Sequence, residues 1–384
     1  MKKLLSMLIA FSMIWSVAGC NKNTQKPVSE QPTTISKETV PTTLPTINAE
    51  IPQKPMCAVS LVPQTETFTD SDGKVRFIHS IQNLTLVLPE PEIADRIILD
   101  QLNRQDQIAQ YADELHNDSL NSAFFYDIPF MYCISYTPAR FDSILLSLHE
   151  DEMIFMGGIH PNTYGHFYNY DLLSGKKLNL SDILTDDTTL TNITDIIKDR
   201  LNNVEFLWDD YAAVISEQFE CGLHEYGNWY FSNDGLCFYF DPYVLAPYAA
   251  GPITAEISYS SLVGILKDEY FPAEADYFNG TLVISEFNVD AQEDFTQFSE
   301  VILTADGTKL LLSSEGAITD ITILAETVQD GSTATVMAVQ SLTPGDAVMV
   351  EFDSATTRLI VNYNNGNQQE TQMISYTNGS ITIS

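Results

Sequence analysis

The stretch Gly157-Gly158-Ile159-His160-Pro161-Asn162 carries the densest local signal in the chain. Paired glycines followed by His-Pro predict a tight loop that leads into a strand, because glycine adopts backbone conformations that are costly for other residues. The aromatic run Tyr168-Asn169-Tyr170-Asp171 follows, and Ser174-Gly175-Lys176 then predicts a tight turn. Ser181 is the expected N-cap of a short helix after that turn.

A second dense stretch covers residues 234–252. It contains Asp234-Gly235-Leu236-Cys237-Phe238-Tyr239-Phe240-Asp241-Pro242-Tyr243 and, after Val244, Leu245-Ala246-Pro247-Tyr248-Ala249-Ala250-Gly251-Pro252. With Trp229-Tyr230-Phe231 before it, this stretch predicts a β-hairpin that turns at Asn233-Asp234-Gly235. Its aromatic residues are more typical of a core than of a binding site.

Residues 56–272 mix helix and strand patterns, which predicts an α+β domain with a mixed or antiparallel sheet and packed helices. Asp72-Gly73 marks a turn between two short strands. Residues 92–115 predict an amphipathic helix, whose apolar positions are Ile93, Ile97, Leu102, Ala109 and Ala112. The other elements expected are strands at 130–136, 144–149, 153–156 and 255–259, and helices across 190–204, 206–219 and 260–267.

The pattern changes after Pro272. Helical spacing disappears, and short alternating stretches such as 322–328, 348–352 and 359–363 are separated by Asp-Gly and Asn-Gly turns. Regularly spaced short strands predict an all-β, sandwich-like domain over residues 273–384.

The N-terminus has the layout of a cleaved export signal over residues 1–19, with a basic start and an apolar core. Val17-Ala18-Gly19-Cys20 resembles the lipobox of bacterial lipoproteins, which implies that Cys20 is acylated and holds the mature chain on a lipid membrane. The alternative is a transmembrane helix, although the apolar stretch is shorter than the roughly 20 residues that span a bilayer. Residues 20–55 are rich in Pro, Thr and Ser and predict a disordered tether.

The chain is strongly acidic, with 18 basic and 52 acidic residues and a net charge of −34. Nucleic acid is therefore excluded as a partner, because phosphate binding requires a basic face. Cationic partners are favoured, and the alternative is that the charge serves only to keep a monomer soluble. The expected location is the outer face of the cytoplasmic membrane, lipid-anchored, in a Gram-positive bacterium.

Cys221 and Cys237 are near enough in sequence to close a small disulfide loop in an oxidising compartment. The alternative is that Cys237 is a buried thiol, since it lies in a strand-like run. No pair of cysteines has the C-x-x-C spacing typical of a zinc site.

Catalytic signatures are missing from the sequence, which has no nucleophile elbow, no H-E-x-x-H helix and no P-loop. His160 and His166 are possible metal ligands without a clear third ligand, so we expect His160 to be a buried, hydrogen-bonded residue that holds its loop. We expect no cofactor and no metal.

Together the two dense stretches resemble the extracellular module shared by lysozyme-sensing anti-sigma factors of the RsiV type and peptidoglycan deacetylases of the PdaC type. The likeness covers about residues 65–271, with Ile159 where that module has alanine. It implies a structural or ligand-binding role for Gly157, Gly158, His160, Pro161, Asn169, Asp171, Gly175, Lys176, Asp241, Pro242, Tyr243, Pro247, Tyr248 and Gly251.

The chain lacks both effectors that accompany this module, the metal-dependent deacetylase domain and the cytoplasmic sigma-binding segment. The resemblance thus implies a non-catalytic lipoprotein that binds or senses lysozyme or peptidoglycan. One alternative is a wall-glycan-modifying enzyme or accessory subunit using His160, Asp171 and Tyr243. The other is a solute-binding lipoprotein of a transporter.

Overall fold

The computed structural model describes residues 57–121, 128–186, 189–220, 228–272, 280–286, 299–304, 307–343, 346–366, 368–377 and 380–384. The strands up to residue 272 are β1 (Ala58–Thr69), β2 (Val75–Val87), β3 (Phe130–Phe141), β4 (Leu145–Phe155), β5 (Asn162–Asp171), β6 (Lys176–Lys177), β7 (Trp229–Phe231), β8 (Gly235–Phe240) and β9 (Ile253–Ser258). The helices are α1 (Pro91–Asn121), α2 (Leu180–Ile183), α3 (Thr189–Leu201) and α4 (Tyr211–Glu220).

The remaining strands are β10 (Thr281–Glu286), β11 (Ser299–Ile302), β12 (Thr308–Glu315), β13 (Ile318–Thr327), β14 (Thr333–Leu342), β15 (Ala347–Phe352), β16 (Thr357–Asn364), β17 (Gln369–Thr377) and β18 (Ser380–Ile383). An 11-stranded sheet has the order β18-β17-β16-β13-β14-β1-β2-β3-β4-β5-β6. Smaller sheets have the orders β10-β12-β15-β11 and β7-β8-β9. The expected combination of α+β and all-β regions is compatible with this arrangement.

Helix α1 links β2 to β3, which pair in parallel and therefore need a crossover connection. The predicted amphipathic helix is confirmed, but its apolar face is rotated from the expected one, because Leu102 and Ala109 are exposed. Gln101 is buried in that face instead, where its amide donates a hydrogen bond to the Tyr170 hydroxyl at 2.6 Å. A polar side chain whose amide nitrogen is hydrogen-bonded, while its Oε1 has no partner among the described residues, thus occupies a core position that hydrophobic spacing does not reveal.

The β7-β8-β9 sheet packs with α3 and α4 around a second core. The hairpin predicted from Trp229 to Phe240 is confirmed by the β7–β8 pairing. The expected helix at 260–267 is wrong: a 3-10 turn at Tyr259–Ser261 is followed by Gly264 at φ 80°, a backbone conformation that ends helical structure. Asn179, not the expected Ser181, is the N-cap of α2.

The C-terminal strands form two sheets that share one core, as expected for a sandwich. Strands β13, β14 and β16 face β12 and β15 across buried side chains that include Ile323, Met337, Val361, Leu312 and Val350. The large sheet also continues past the predicted boundary at residue 272, because Ala58 to Ser60 of β1 pair with β14. Ala58 therefore belongs to the core of the sandwich.

Candidate functional site

The glycine-rich stretch forms the loop that joins β4 to β5. Ile154 pairs with Asn162 across the two strands, so residues 155–161 close the hairpin. Gly157 and Gly158 have φ values of 90° and 118°, which residues with a side chain rarely adopt. Between these glycines and the next strand, the Ile159 side chain is fully exposed to solvent.

His160 is held in this loop by two tyrosines from the second dense stretch. Its ring stacks on the Tyr248 ring with centroids 3.7 Å apart and planes 14° apart. The Tyr243 hydroxyl lies 3.3 Å from His160 Nε2, and the Tyr248 hydroxyl donates to the Pro161 carbonyl at 3.0 Å. The structure thus brings the central residues of both dense stretches together.

The segment 241–251 is fixed to β5 and to itself. Asp241 Oδ1 accepts a hydrogen bond from the Gly165 N–H at 2.9 Å. Burial raises the pKa of Asp241, with the Gly165 N–H acting in the opposite direction. Pro247 precedes the 3-10 turn Tyr248–Ala250, and Gly251 at φ 73° ends it.

Tyr243 combines an exposed ring with a strained backbone. It has φ 73° and is one of three residues other than glycine with positive φ in the described part of the chain. Its ring is 58% exposed, although Pro242 and the buried Leu245 lie within two residues of it. A strained conformation that presents an apolar ring to solvent is more typical of a functional position than of a packing one.

A second loop, over residues 202–210, lies against the same segment. The Trp208 N–H donates to the Leu245 carbonyl at 2.8 Å. Phe206 has φ 71° and an exposed ring, and the Trp208 side chain is also exposed. We call the exposed rings of Phe206, Trp208 and Tyr243, together with the exposed Ile159, the aromatic surface. The flanking acids Glu205, Asp209 and Asp210 are all exposed.

The remaining residues of the sequence motif have structural positions away from this surface. Asn169 is buried, accepts from the Ser147 hydroxyl at 2.6 Å and donates to the Trp229 carbonyl at 3.0 Å. Asp171 Oδ1 accepts from the Leu173 N–H at 2.7 Å and thus fixes the turn before Gly175. Lys176 Nζ pairs with Asp182 at 2.6 Å.

The candidate catalytic set of His160, Asp171 and Tyr243 is not assembled. His160 precedes β5, whereas Asp171 is the last residue of that 10-residue strand. At about 3.3 Å per residue, the two side chains lie roughly 30 Å apart along the strand. His160 and Tyr243 are in contact, so Asp171 is the member of this set that lies elsewhere.

Sequence reasoning missed a buried polar cluster on β4, at Glu150 and Glu152. Both carboxylates point to the same face, since alternate residues of a strand do so. Arg104 of α1 binds Glu150 through Nε and Nη2, at 3.0 and 2.6 Å from Oε1. Glu152 accepts from the Tyr132 hydroxyl at 2.8 Å and lies 2.6 Å from His166 Nε2.

The pKa values of two carboxyl groups in this region, Glu152 and Asp241, are shifted in opposite directions. Burial raises the pKa of Glu152, but hydrogen bonds from His166 and Tyr132 outweigh it, so the pKa is lowered overall. The pKa of Asp241 is raised by burial, and charge from Glu152 adds to the rise. His166 Nε2 is thus engaged in the contact with Glu152. Within the described ranges, no group of three or more His, Cys, Asp or Glu residues has the arrangement of a metal site.

Cys237 is buried, and its Sγ lies 3.6 Å from Glu256 Oε2. Cys221 lies outside the described residues, so the pairing of these two cysteines stays a prediction. The same holds for the signal, Cys20 and the tether. No helix in the described part of the chain is both long and apolar enough to cross a membrane.

The second dense stretch lies within a region that matches a known protein family. Residues 181–260 match the family model DUF3298, described as a protein of unknown function. The match is confined to this region of the chain. It includes α3, α4, the β7–β8 hairpin and the segment 241–251, whereas the loop at 157–161 lies outside the matched residues.

Two solved structures of DUF3298 family proteins are similar to the chain. One, from Bacteroides fragilis NCTC 9343, is 19% identical, covers 56% of this chain and 94% of its own, and has a TM-score of 0.41. The other, from Pseudomonas aeruginosa PAO1, is 18% identical, covers 58% of this chain and 99% of its own, and has a TM-score of 0.39. No curated protein matches the chain.

Proposed function

We propose that the chain is a non-catalytic lipoprotein, anchored on the outer face of the cytoplasmic membrane through Cys20, whose aromatic surface binds a cationic lysozyme-type protein of the envelope. The observation that carries the proposal is the exposure of Ile159 and Trp208 on two loops that are both hydrogen-bonded to segment 241–251, which itself carries the exposed Tyr243. Exposed apolar side chains grouped in this way are typical of protein interaction sites.

The loops are held in place before any partner arrives. His160 stacks on Tyr248, and Trp208 is hydrogen-bonded to the Leu245 carbonyl through its backbone. Binding then requires little ordering of the chain, so more of the contact free energy appears as affinity. Tyrosine and tryptophan also have few rotatable bonds and are enriched at interfaces.

Charge favours a basic protein over wall polymers. Exposed Glu205, Asp209 and Asp210 flank the aromatic surface, and the whole chain has a net charge of −34. Opposite charge raises the rate of association with a basic protein, whereas it repels anionic wall polymers. Peptidoglycan is accordingly the second ligand to test.

The test is titration of lysozyme and of peptidoglycan fragments onto the purified chain starting after Cys20, at low and high salt. We expect saturable lysozyme binding that weakens as salt rises. Trp208→Ala is expected to reduce affinity at least about tenfold, since interface aromatics contribute about 2 kcal/mol or more. Leu173→Ala is the control, because Leu173 is also an exposed apolar residue but lies in the turn beyond β5. Absence of lysozyme binding at low salt would discard this function.

A wall-glycan-modifying enzyme is the second candidate. Glu152 and Asp241 are both hydrogen-bonded to β5, through His166 and the neighbouring Gly165 N–H, and their pKa values are shifted in opposite directions, as in an acid and base pair. Incubation with muropeptides followed by mass analysis tests this activity, with Glu152→Gln as the inactive control. Unchanged substrate mass with the wild-type chain rejects it.

Lipid anchoring at Cys20 is tested separately. Cells that express the chain are grown with a labelled fatty acid, and the protein is recovered from the membrane fraction. Label in the wild-type protein and none in Cys20→Ala is the expected result, because the thiol is the site of acylation.

A further inference from the structure

A cavity of about 250 Å³ lies between α1 and the β1–β2 hairpin. Its floor comes from alternate residues of both strands, which share one face of the sheet. Glu66 pairs with His79 across the strands, and Phe68 pairs with Phe77. Its roof comes from one face of α1, at Ala109, Ala112, Asp113 and His116. None of these residues belongs to the aromatic surface.

Aromatic rings line the inner part of this cavity. The Phe68 ring lies 4.4 Å from the His116 ring and 5.6 Å from the Phe77 ring. His79 stacks on Tyr132 with centroids 5.5 Å apart, which fixes the floor. Alanine at positions 109 and 112 leaves the space above these rings open.

Carboxylates stand at the rim. Glu66 and Asp113 are exposed and come from opposite walls, one from β1 and one from α1. Across the described residues neither has a Lys, Arg or His ion-pair partner, although Gln64 donates to Glu66 at 3.4 Å. Two carboxylates without a cationic partner in the described part of the structure therefore line the same opening, above aromatic rings.

His79 supplies a buried polar atom beside the rings. Its Nε2 is buried and has no hydrogen-bond partner among the residues described. Burial lowers the pKa of His79 against the opposing effect of Glu66 and Asp113, which favours the neutral ring.

We propose that this cavity binds a small organic cation, a primary amine or guanidine. Aromatic faces attract such cations, the two rim carboxylates neutralise them, and the neutral form of the His79 ring beside them adds no competing positive charge. The volume suits a chain of a few carbons rather than a drug-sized ligand, for which pockets reach about 300 Å³ or more. The cation comes either from a free polyamine or from a Lys or Arg side chain of a peptide.

The experiment titrates cadaverine and agmatine into the full chain by calorimetry, and follows the imidazole C–H signals of His79 and His116 by NMR. Saturable binding is expected below about 10 mM, with both imidazoles shifting. The uncharged analogue 1,5-pentanediol is expected not to bind. A lysine-containing tripeptide is titrated in parallel, and its affinity relative to cadaverine decides between the two sources.

The variant E66Q/D113N is expected to weaken binding at least about tenfold, because it removes both rim charges. Ala109→Leu is expected to abolish it by filling the opening. Glu114→Gln is the matched control: it removes a charge from the neighbouring position of α1, which does not line the cavity. Tyr243→Ala is also expected to bind normally, which separates this site from the aromatic surface.

The proposal is overturned if neither cadaverine, agmatine nor the tripeptide binds. It is also overturned if pentanediol binds as well as cadaverine, or if E66Q/D113N and Glu114→Gln behave alike. None of these outcomes depends on whether lysozyme binds to the aromatic surface.

Discussion

Glu152 and His166 meet across neighbouring strands, with Glu152 Oε2 and His166 Nε2 2.6 Å apart. The other carboxylate oxygen accepts from Tyr132, so both oxygens have partners in a mostly buried position. This arrangement keeps Glu152 ionised beneath the segment that carries Tyr243.

Glu152→Gln is expected to lower the free energy of unfolding at pH 7 by about 2 kcal/mol, the usual contribution of hydrogen bonds to a charged group. The pKa of Glu152 is lower in the folded chain than its ordinary value of 4.5, so its stabilisation is complete above that value. It is lost as pH falls through the folded pKa. Urea denaturation at neutral and acidic pH measures the difference between the two proteins, which should shrink in acid. A difference that stays constant would contradict this assignment.

Arg104→Met is expected to destabilise the fold by about 3–5 kcal/mol, because it leaves the charge of Glu150 unpaired in the interior. The Glu150 side chain is 0% exposed and binds Arg104 at 2.6 Å. Lys198→Met serves as control, since the Lys198–Asp195 pair at 3.7 Å has an exposed carboxylate and should contribute less than about 0.5 kcal/mol. Equal losses in the two urea titrations would disprove the difference between buried and exposed pairs.

Tyr243→Gly is expected to keep or raise stability while weakening lysozyme binding. Glycine relieves about 1 kcal/mol of strain at φ 73°, and the exposed ring contributes little packing. Tyr243→Phe keeps the ring and the strain and should bind nearly as the wild type does. Thermal unfolding and calorimetric titration measure both effects, and a marked loss of stability in Tyr243→Gly would show that the ring is structural.

Gly235→Ala is expected to cost at least about 2 kcal/mol, since a Cβ there would lie 2.1 Å from the Ile257 carbonyl oxygen and force β8 and β9 apart. Gly73→Ala is the comparison, because Gly73 has φ 77° but open space around it and should cost about 1 kcal/mol. Urea denaturation measures the loss in free energy of unfolding for each variant. A larger loss for Gly73→Ala than for Gly235→Ala would show that backbone strain outweighs the steric clash.

Cys133 and Cys237 are expected to react slowly with iodoacetamide in the folded protein. Burial raises the pKa of each thiol to about 12, so little reactive thiolate is present at pH 8. Mass spectrometry of peptides alkylated before and after unfolding measures this protection. Unfolding without reductant also tests the predicted Cys221–Cys237 disulfide, which would leave Cys237 unmodified even then.

Local signals in the sequence predicted the elements whose structure is determined locally. The turn at Asp72-Gly73 and the hairpin before Phe240 are both present. The charged run Glu150-Asp151-Glu152 split β4 into two expected strands, because charges in mid-strand normally face solvent. Here the partner is Arg104, 46 residues earlier on α1, and no local pattern reveals that contact.

The candidate surface was predicted in part. The resemblance implied only a structural or ligand-binding role for each of His160, Tyr243 and Tyr248, and the structure brings the three together. The loop with Phe206 and Trp208 was interpreted as helix, although two aromatic residues among Glu205, Asp209 and Asp210 are a signal of exposure. The pairing of β1 with β14 was not predictable, since it joins residues near positions 58 and 339.

The pairing of β1 with β14 means that a force applied to the N-terminal end of β1 acts on both regions of the large sheet. A pulling force applied at residue 57 reaches β1 first, and β1 is hydrogen-bonded to β2 along most of its length and to β14 at its first residues. A load directed along the strand would strain these hydrogen bonds together rather than one after another. Force transmitted from an N-terminal anchor would therefore be shared by both halves of the chain.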